Sequence, residues 1–104
     1  MKRVIIESPY AGDVQTNIKY AQLCLKDSLQ RGEAPFASHL LYTQVLDDTV
    51  KKERQLGISA GFKWFVKANL VAVYADLGIS DGMNQGIDLA TRLRIPIEYR
   101  KLRR

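Results

Sequence analysis

The chain alternates short apolar runs with longer stretches in which apolar residues recur every three or four positions. The runs are rich in β-branched and aromatic residues, which predicts buried strands at RVIIE (residues 3–7), APFAS (34–38), LVAVYA (70–75) and IPIEY (95–99). The helical repeats between them are Ile18, Ala21, Leu25 and Leu29, then Ile58, Phe62 and Phe65, then Met83, Ile87 and Ala90. The predicted order is strand–helix–strand–helix–strand–helix–strand, with a polar loop at HLLYTQVLDD (39–48).

This alternation predicts a parallel sheet covered by helices on both faces, because strands buried on both sides are continuously apolar. Right-handed crossovers favour the strand order 2-1-3-4, and Pro96 suggests that the fourth strand lies at an edge. The length of 104 residues fits a single domain, residues 1–104. In the second helix, Gly57, Gly61 and Ala68 form a line of small residues beside the apolar line.

Cysteine, histidine and glycine usage excludes several kinds of site. The single cysteine, Cys24, cannot form an internal disulfide, which is consistent with a cytoplasmic protein. No apolar run approaches the roughly 20 residues of a membrane span, so no membrane partner is expected. His39 is the only histidine, which disfavours a His/Cys metal site. The glycines fit neither a dinucleotide fingerprint nor a P-loop, and we expect no cofactor.

The formal net charge is +5, with a sequence pI of about 9.5. Much of the excess lies at the chain ends, in Lys2, Arg3, Arg100, Lys101, Arg103 and Arg104. We interpret these residues as a solvated basic terminus. A nucleic-acid partner is disfavoured, because aromatic residues do not interleave with the basic ones as they do on single-strand-binding faces.

In parallel sheets of this kind, ligands bind at the carboxyl ends of the strands, where the strand order reverses. The first loop at that edge is ESPYAGD, where a carboxylate at Glu7 is costly without a partner. Ser8 is a candidate for contact with a phosphate or ribose, and Tyr10 for contact with a base. The alternative is an ordinary strand–helix turn, with Asp13 or Thr16 capping the helix.

The second loop contributes His39, which is either a ligand residue or a structural histidine. An acidic cluster, Asp47, Asp48 and Glu53, lies on the far side of that loop. A helix N-terminus favours carboxylates in its first turn, and we interpret the cluster in that way.

The third loop is DLGISDGM. Asp76 and Gly78 close the strand, and both are predicted to bind the ligand together with Ser80 and Gly82. Ser80 or Asp81 is also predicted to cap the helix, and Gly82 admits a ligand close to the backbone. The free amides and positive dipole end of a helix N-terminus suit a phosphate or a carboxylate. Met83 is expected to flank a base opposite Tyr10.

The segments VIIESPYAGD, NIKYA, GEAPFASHLLYTQVLDD, ERQLGI and DLGISDGM…GIDLA…IPIEYR together resemble the small nucleoside 2-deoxyribosyltransferase-like proteins. Many of these proteins come from phages and are known only as domains of unknown function. The resemblance covers nearly the whole chain. It implies a flavodoxin-like (Rossmann-like) three-layer α/β sandwich with a four- or five-stranded parallel sheet. It also implies cleavage of the N-glycosidic bond of a nucleoside or nucleotide by a glutamate early in the last helix, with an aspartate assisting the base.

The chain departs from that family at the position of the nucleophile. Many relatives carry S-x-G-M-x-x-E-I, whereas this chain has SDGMNQGI, with Gly86 in place of the glutamate. Alignment to the alternative M-E-x-G form places Asn84 there. Glu7 and Asp81 are possible replacements, and Glu7 is preferred because it is expected to point into the same crevice.

Two functions are favoured by these residues, ahead of a nucleic-acid or protein adaptor that uses the basic tail. The first is binding of a nucleotide- or nucleoside-derived small molecule without turnover; in a phage, this would be a sponge for a nucleotide signal. The second is a nucleoside or nucleotide N-glycosidase or deoxyribosyltransferase that uses Glu7. We also expect a homo-oligomer, because small domains gain stability by association and the second helix carries Phe62, Trp64 and Phe65.

Overall fold

The structure is a computed structural model that describes residues 1–102. It contains four strands, β1 (Arg3–Glu7), β2 (Ala34–Phe36), β3 (Leu70–Tyr74) and β4 (Ile97–Arg100). They form one sheet in the order β2-β1-β3-β4, and each neighbouring pair is parallel. The predicted α/β class and strand order are therefore confirmed, and β4 is an edge strand that begins immediately after Pro96.

Side-chain alternation along the central strands builds a core on each face of the sheet. On one face, Val4 and Ile6 pack with Tyr20 and Cys24 of the first helix. On the other face, Ile5 packs in a cluster with Phe65, Val71, Val73, Met83 and Ala90. The described residues contain no helix long and apolar enough to cross a membrane.

The helices are α1 (Val14–Gln30), a short α2 (Ser38–Leu41), α3 (Lys51–Phe65) and α4 (Asp81–Arg92). Asp13 caps α1: its carboxylate accepts the Thr16 backbone N–H at 3.2 Å and the Thr16 hydroxyl at 2.8 Å. The apolar line predicted for this helix is wrong at Leu29, which is 57% exposed. The buried face is instead formed by Tyr20, Ala21, Cys24 and Ser28, together with Asn17.

The prediction of a polar loop at residues 39–48 is wrong in its first half. Helix α2 is followed there by a 3₁₀ turn, Tyr42–Gln44. Small residues of α3 allow this segment to pack closely: a Cβ atom at Gly61 would lie 2.6 Å from Ser38 Oγ, and one at Gly57 would lie 3.3 Å from Leu46 Cδ1. Gly57 and Gly61 of α3 therefore form the surface against which residues 38–46 pack, whereas Ala68, predicted on the same line, lies beyond the end of α3 and packs in the cluster around Phe65.

The prediction of a solvated basic terminus is wrong for Arg100, which is buried. Its guanidinium donates to both carboxylate oxygens of Glu33 at 2.8 and 2.7 Å, and to Tyr74 Oη at 3.1 Å. Glu98 accepts a further bond from Nε at 3.0 Å. Arg100 thus attaches β4 to the connection between α1 and β2 and to the end of β3. Arg103 and Arg104, which belong to the same prediction, lie outside the described residues.

The three aromatic residues that motivated the expected homo-oligomer have different environments. Phe65 is buried in the core, Phe62 is partly buried, and Trp64 is 54% exposed. The Trp64 indole N–H donates to Tyr42 Oη at 3.1 Å, and the ring lies against Phe36. Self-association stays a prediction.

Candidate functional site

A cavity of about 390 Å³ opens at the carboxyl ends of the strands. It lies between the β1–α1 loop, the α2–α3 segment (residues 38–62) and the start of α4. This volume is in the range of small-molecule sites. The residues predicted from sequence that line the cavity are Glu7, Ser8, Tyr10, His39, Ser80, Gly82 and Met83. The structure thus brings together residues from three separate loops.

Asp76 and Gly78, which were predicted to bind the ligand, lie outside this cavity. The Asp76 carboxylate accepts the Tyr20 hydroxyl at 2.6 Å and the Leu102 backbone N–H at 2.9 Å, so it connects α1 to the C-terminal segment. Gly78 has φ +88° in a turn closed by its N–H to the carbonyl of Ala75 at 3.0 Å. A left-handed conformation of this kind explains the glycine without a ligand.

The Glu7 carboxyl group lies directly against Gly86 of α4. A Cβ atom built on Gly86 would be 2.6 Å from Glu7 Cδ and 3.0 Å from Oε1, distances that real Cβ atoms do not tolerate. The glycine therefore makes room for the carboxyl group of β1. Asn84, the other position aligned with the family nucleophile, is exposed and does not line the cavity.

Burial raises the pKa of the Glu7 carboxyl from 4.5 to about 8. Among residues 1–102, no side chain or backbone group forms a hydrogen bond or ion pair with this carboxyl. Desolvation disfavours the charged form of an acid, so Glu7 is mostly protonated at neutral pH. In that state it can donate one hydrogen bond and accept others.

Ser8 and His39 form a hydrogen-bonded pair beside Glu7. Ser8 Oγ lies 2.6 Å from His39 Nε2. Burial lowers the pKa of His39 from 6.5 to about 4, so the imidazole is neutral at pH 7. One nitrogen of a neutral imidazole can accept a hydrogen bond from the Ser8 hydroxyl. His39 thus contacts Ser8 and supplies no positive charge to hold Glu7 ionised.

Local bonds fix the loops that carry these groups. Buried Asn17 donates from Nδ2 to the carbonyls of Tyr10 at 2.9 Å and Ala11 at 3.0 Å, which holds the β1–α1 loop against α1. Ser80 is the N-cap of α4: its hydroxyl accepts the Met83 N–H at 3.3 Å, and its own N–H lies 3.4 Å from Met83 Sδ. Of the two predicted caps, Ser80 is the one that forms.

Sequence reasoning missed the wall that the α2–α3 segment contributes. Its lining residues include Tyr42, Asp48, Glu53, Arg54 and Phe62. The acidic cluster is predicted to be the set of carboxylates that a helix N-terminus favours in its first turn. Glu53 does lie in the first turn of α3, where its carboxylate accepts the Asp47 N–H at 2.9 Å. The long loop after β2 was the available signal, because loops at this edge of the sheet carry binding residues.

The floor of the cavity therefore presents neutral polar groups, namely a protonated carboxyl and a serine–histidine pair, whereas Tyr10, Tyr42 and Met83 supply flat or apolar surface. Such a cavity can hold a small molecule that has both hydroxyl groups and an aromatic ring. Within residues 1–102, no group of three or more His, Cys, Asp and Glu side chains is placed to hold a metal ion.

Comparison with known proteins identifies the fold and the family. No curated protein sequence matches the chain. Among solved structures, the chain is similar to a 2-deoxyribosyltransferase from the psychrotolerant bacterium Bacillus psychrosaccharolyticus, with a TM-score of 0.67 and 13% sequence identity over 95% of this chain and 72% of that chain. At this identity the likeness shows a shared fold, and it confirms the fold implied by the sequence resemblance. Residues 2–100 match the family described as Domain of unknown function (DUF7768), and the chain belongs to that family.

Proposed function

We propose that the protein binds a nucleoside- or nucleotide-derived small molecule in the cavity at the carboxyl ends of the strands, without cleaving it. The observation that carries the proposal is the cavity itself. It measures about 390 Å³, lies where the strand order reverses, and combines hydrogen-bonding groups on its floor with aromatic side chains on its walls. The fold shared with a 2-deoxyribosyltransferase is consistent with such a ligand.

The raised pKa of Glu7 supports binding without turnover. A glycosidic nucleophile must be ionised to attack the sugar. Burial raises the pKa of Glu7 to about 8, and Gly86 supplies no carboxylate of its own. A protein of this kind would lower the free concentration of its ligand by holding it, as a sponge does.

The test is equilibrium binding to a panel of nucleosides and nucleotides, followed by chromatography of the recovered ligand. We expect saturable binding and recovery of intact ligand. Gly82→Leu should weaken binding, because a Cβ atom there meets only Ser80 Oγ at 3.9 Å and the longer side chain can extend into the cavity. Gln85→Leu is the matched control, on an exposed position of the same helix. Binding that is as tight in Gly82→Leu as in Gln85→Leu would place the site elsewhere.

N-glycosidic cleavage by Glu7 is the second candidate function. It is favoured by the position of the Glu7 carboxyl, which occupies the space beside Gly86 that a side chain there would need. If Glu7 is the nucleophile, release of free base should rise with pH through about 8 and should stop in Glu7→Gln. Base release that is absent from pH 6 to 9, with intact ligand bound, would exclude this activity for the ligands tested.

A further inference from the structure

The cavity is acidic although the protein as a whole is basic. Among residues 1–102, its lining holds four carboxyl side chains, those of Glu7, Asp48, Glu53 and Asp81, and one guanidinium, that of Arg54. The chain has a formal net charge of +5. With Glu7 protonated, the three remaining carboxylates still outnumber the single cation. The local charge is therefore opposite in sign to the charge of the molecule.

The cationic side chains that line the cavity, within the part of the chain that the structure describes, are poorly suited to an anion. Arg54 Nε lies 4.0 Å from Asp48 Oδ1, so a carboxylate already offsets part of its charge. Histidine, the other side chain able to carry positive charge in this lining, is neutral here because burial lowers the pKa of His39 to about 4. Phosphate sites in proteins use Arg, Lys and free backbone amides, and this lining contains no lysine.

The N-terminus of α4 is also a poor phosphate site in this protein. The Ser80 hydroxyl accepts the Met83 N–H, which satisfies one of the free amides of the first turn. The first helical residue is Asp81, whose carboxylate already interacts favourably with the positive end of the helix dipole. The anionic group predicted for Ser80 and Gly82 would approach this carboxylate.

We propose that the cavity selects an uncharged nucleoside over its phosphorylated forms. This inference rests on the proposed function, and it narrows the ligand to one chemical class. The sugar hydroxyls would face the neutral polar floor at Ser8 and Glu7, and the base would lie against the tyrosines of the wall, Tyr10 and Tyr42. A 5′-phosphate would add negative charge beside carboxylates that have no spare cation.

The experiment is calorimetric titration of the full chain with matched pairs: adenosine and AMP, guanosine and GMP, uridine and UMP, thymidine and TMP. At low salt we expect the bound nucleoside to bind at least about tenfold more tightly than its own monophosphate, which corresponds to about 1.4 kcal/mol. The difference should shrink at higher salt because screening weakens repulsion between exposed charges. Asp81→Asn should raise the affinity for the monophosphate more than the affinity for the nucleoside. Asp88→Asn, at an exposed position two turns along the same helix, should leave both unchanged.

The outcomes separate the two proposals. A monophosphate that binds more tightly than its nucleoside would overturn the selectivity and leave the proposed function standing. A preference for the nucleoside that responds neither to salt nor to Asp81→Asn would refute the electrostatic origin. Binding of none of the eight compounds would reject the proposed function together with the inference.

Discussion

Gly86→Ala is the smallest change that tests whether the glycine exists to accommodate Glu7. The added methyl group would lie 2.6 Å from Glu7 Cδ and 3.0 Å from Oε1, so one of the two residues must move. The carboxyl group is the flexible end of a long side chain and faces the cavity, whereas Gly86 is in the middle of α4. We therefore expect Glu7 to rotate into the cavity and the helix to keep its position.

The expected energies nearly cancel. Alanine is favoured over glycine in a helix interior by about 0.5–1 kcal/mol, whereas forcing a side chain away from its preferred rotamer costs about 0.5–1.5 kcal/mol. The free energy of unfolding should change by no more than about 1 kcal/mol. The pKa of Glu7 should change much more: a carboxyl that reaches water loses the desolvation that raises its pKa to about 8, and should return towards 4.5.

The assay is a ¹³C NMR titration of the glutamate carboxyl carbons, with the Glu7 signal assigned from its absence in Glu7→Gln. Gly82→Ala is the matched control, because a Cβ atom there meets only Ser80 Oγ, at the ordinary contact distance of 3.9 Å. The reasoning is refuted if Gly86→Ala destabilises the protein by several kcal/mol while Glu7 titrates as in the wild type. That result would mean that α4 moves and the carboxyl does not.

Three further predictions concern the same side chains and the buried arginine. Between pH 4.5 and about 8, Glu7 stays protonated in the folded protein but ionises in the unfolded chain, so the free energy of unfolding should fall as pH rises, by at most about 1.4 kcal/mol per pH unit. Urea titrations should show that Glu7→Gln removes this decline. The same decline in wild type and Glu7→Gln would contradict the prediction. Ser8→Ala leaves His39 Nε2 without its hydrogen-bond partner and should cost about 1–3 kcal/mol in the same titrations, whereas an unchanged midpoint would mean that water replaces the hydroxyl. Arg100→Met leaves the largely buried Glu33 carboxylate without its cation and should cost about 3–5 kcal/mol; Lys101→Met, at the exposed neighbouring position, is the control, and equal effects would refute the network.

The sheet was predictable because its signals are local and redundant. Each strand is a short apolar run bounded by polar or turn residues, and parallel order follows from the intervening helices. What was missed depends on contacts between distant residues. Leu29 continues the apolar spacing of α1 but faces solvent. In the sequence Arg100 is part of a basic tail, but in the structure it bonds to Glu33 and Tyr74, which are distant in the chain.

The part of the site that could be predicted from the sequence is the part formed by residues at the carboxyl ends of the strands. Seven predicted residues line one cavity because loops at the carboxyl edge of a parallel sheet converge. The wall from α2 to α3 was not predictable, since the line of small residues on α3 does not indicate which segment packs against it. Asp76 carries a carboxylate at the expected edge, but its bonds to Tyr20 and Leu102 are set by the C-terminal segment.

Glu7 and Gly86 are best understood as one unit, and this changes what a motif comparison at residue 86 implies. Considered alone, Gly86 suggests a lost carboxylate that Gly86→Glu could restore. The structure shows that the space for a side chain at position 86 is filled by Glu7, so the added glutamate would compete with an existing carboxyl group. Two acids forced together in a buried site cannot both ionise without a large penalty. A glutamate at position 86 would therefore require a shorter residue at position 7, and Gly86→Glu in combination with Glu7→Ala is the variant that transfers the carboxyl from β1 to α4.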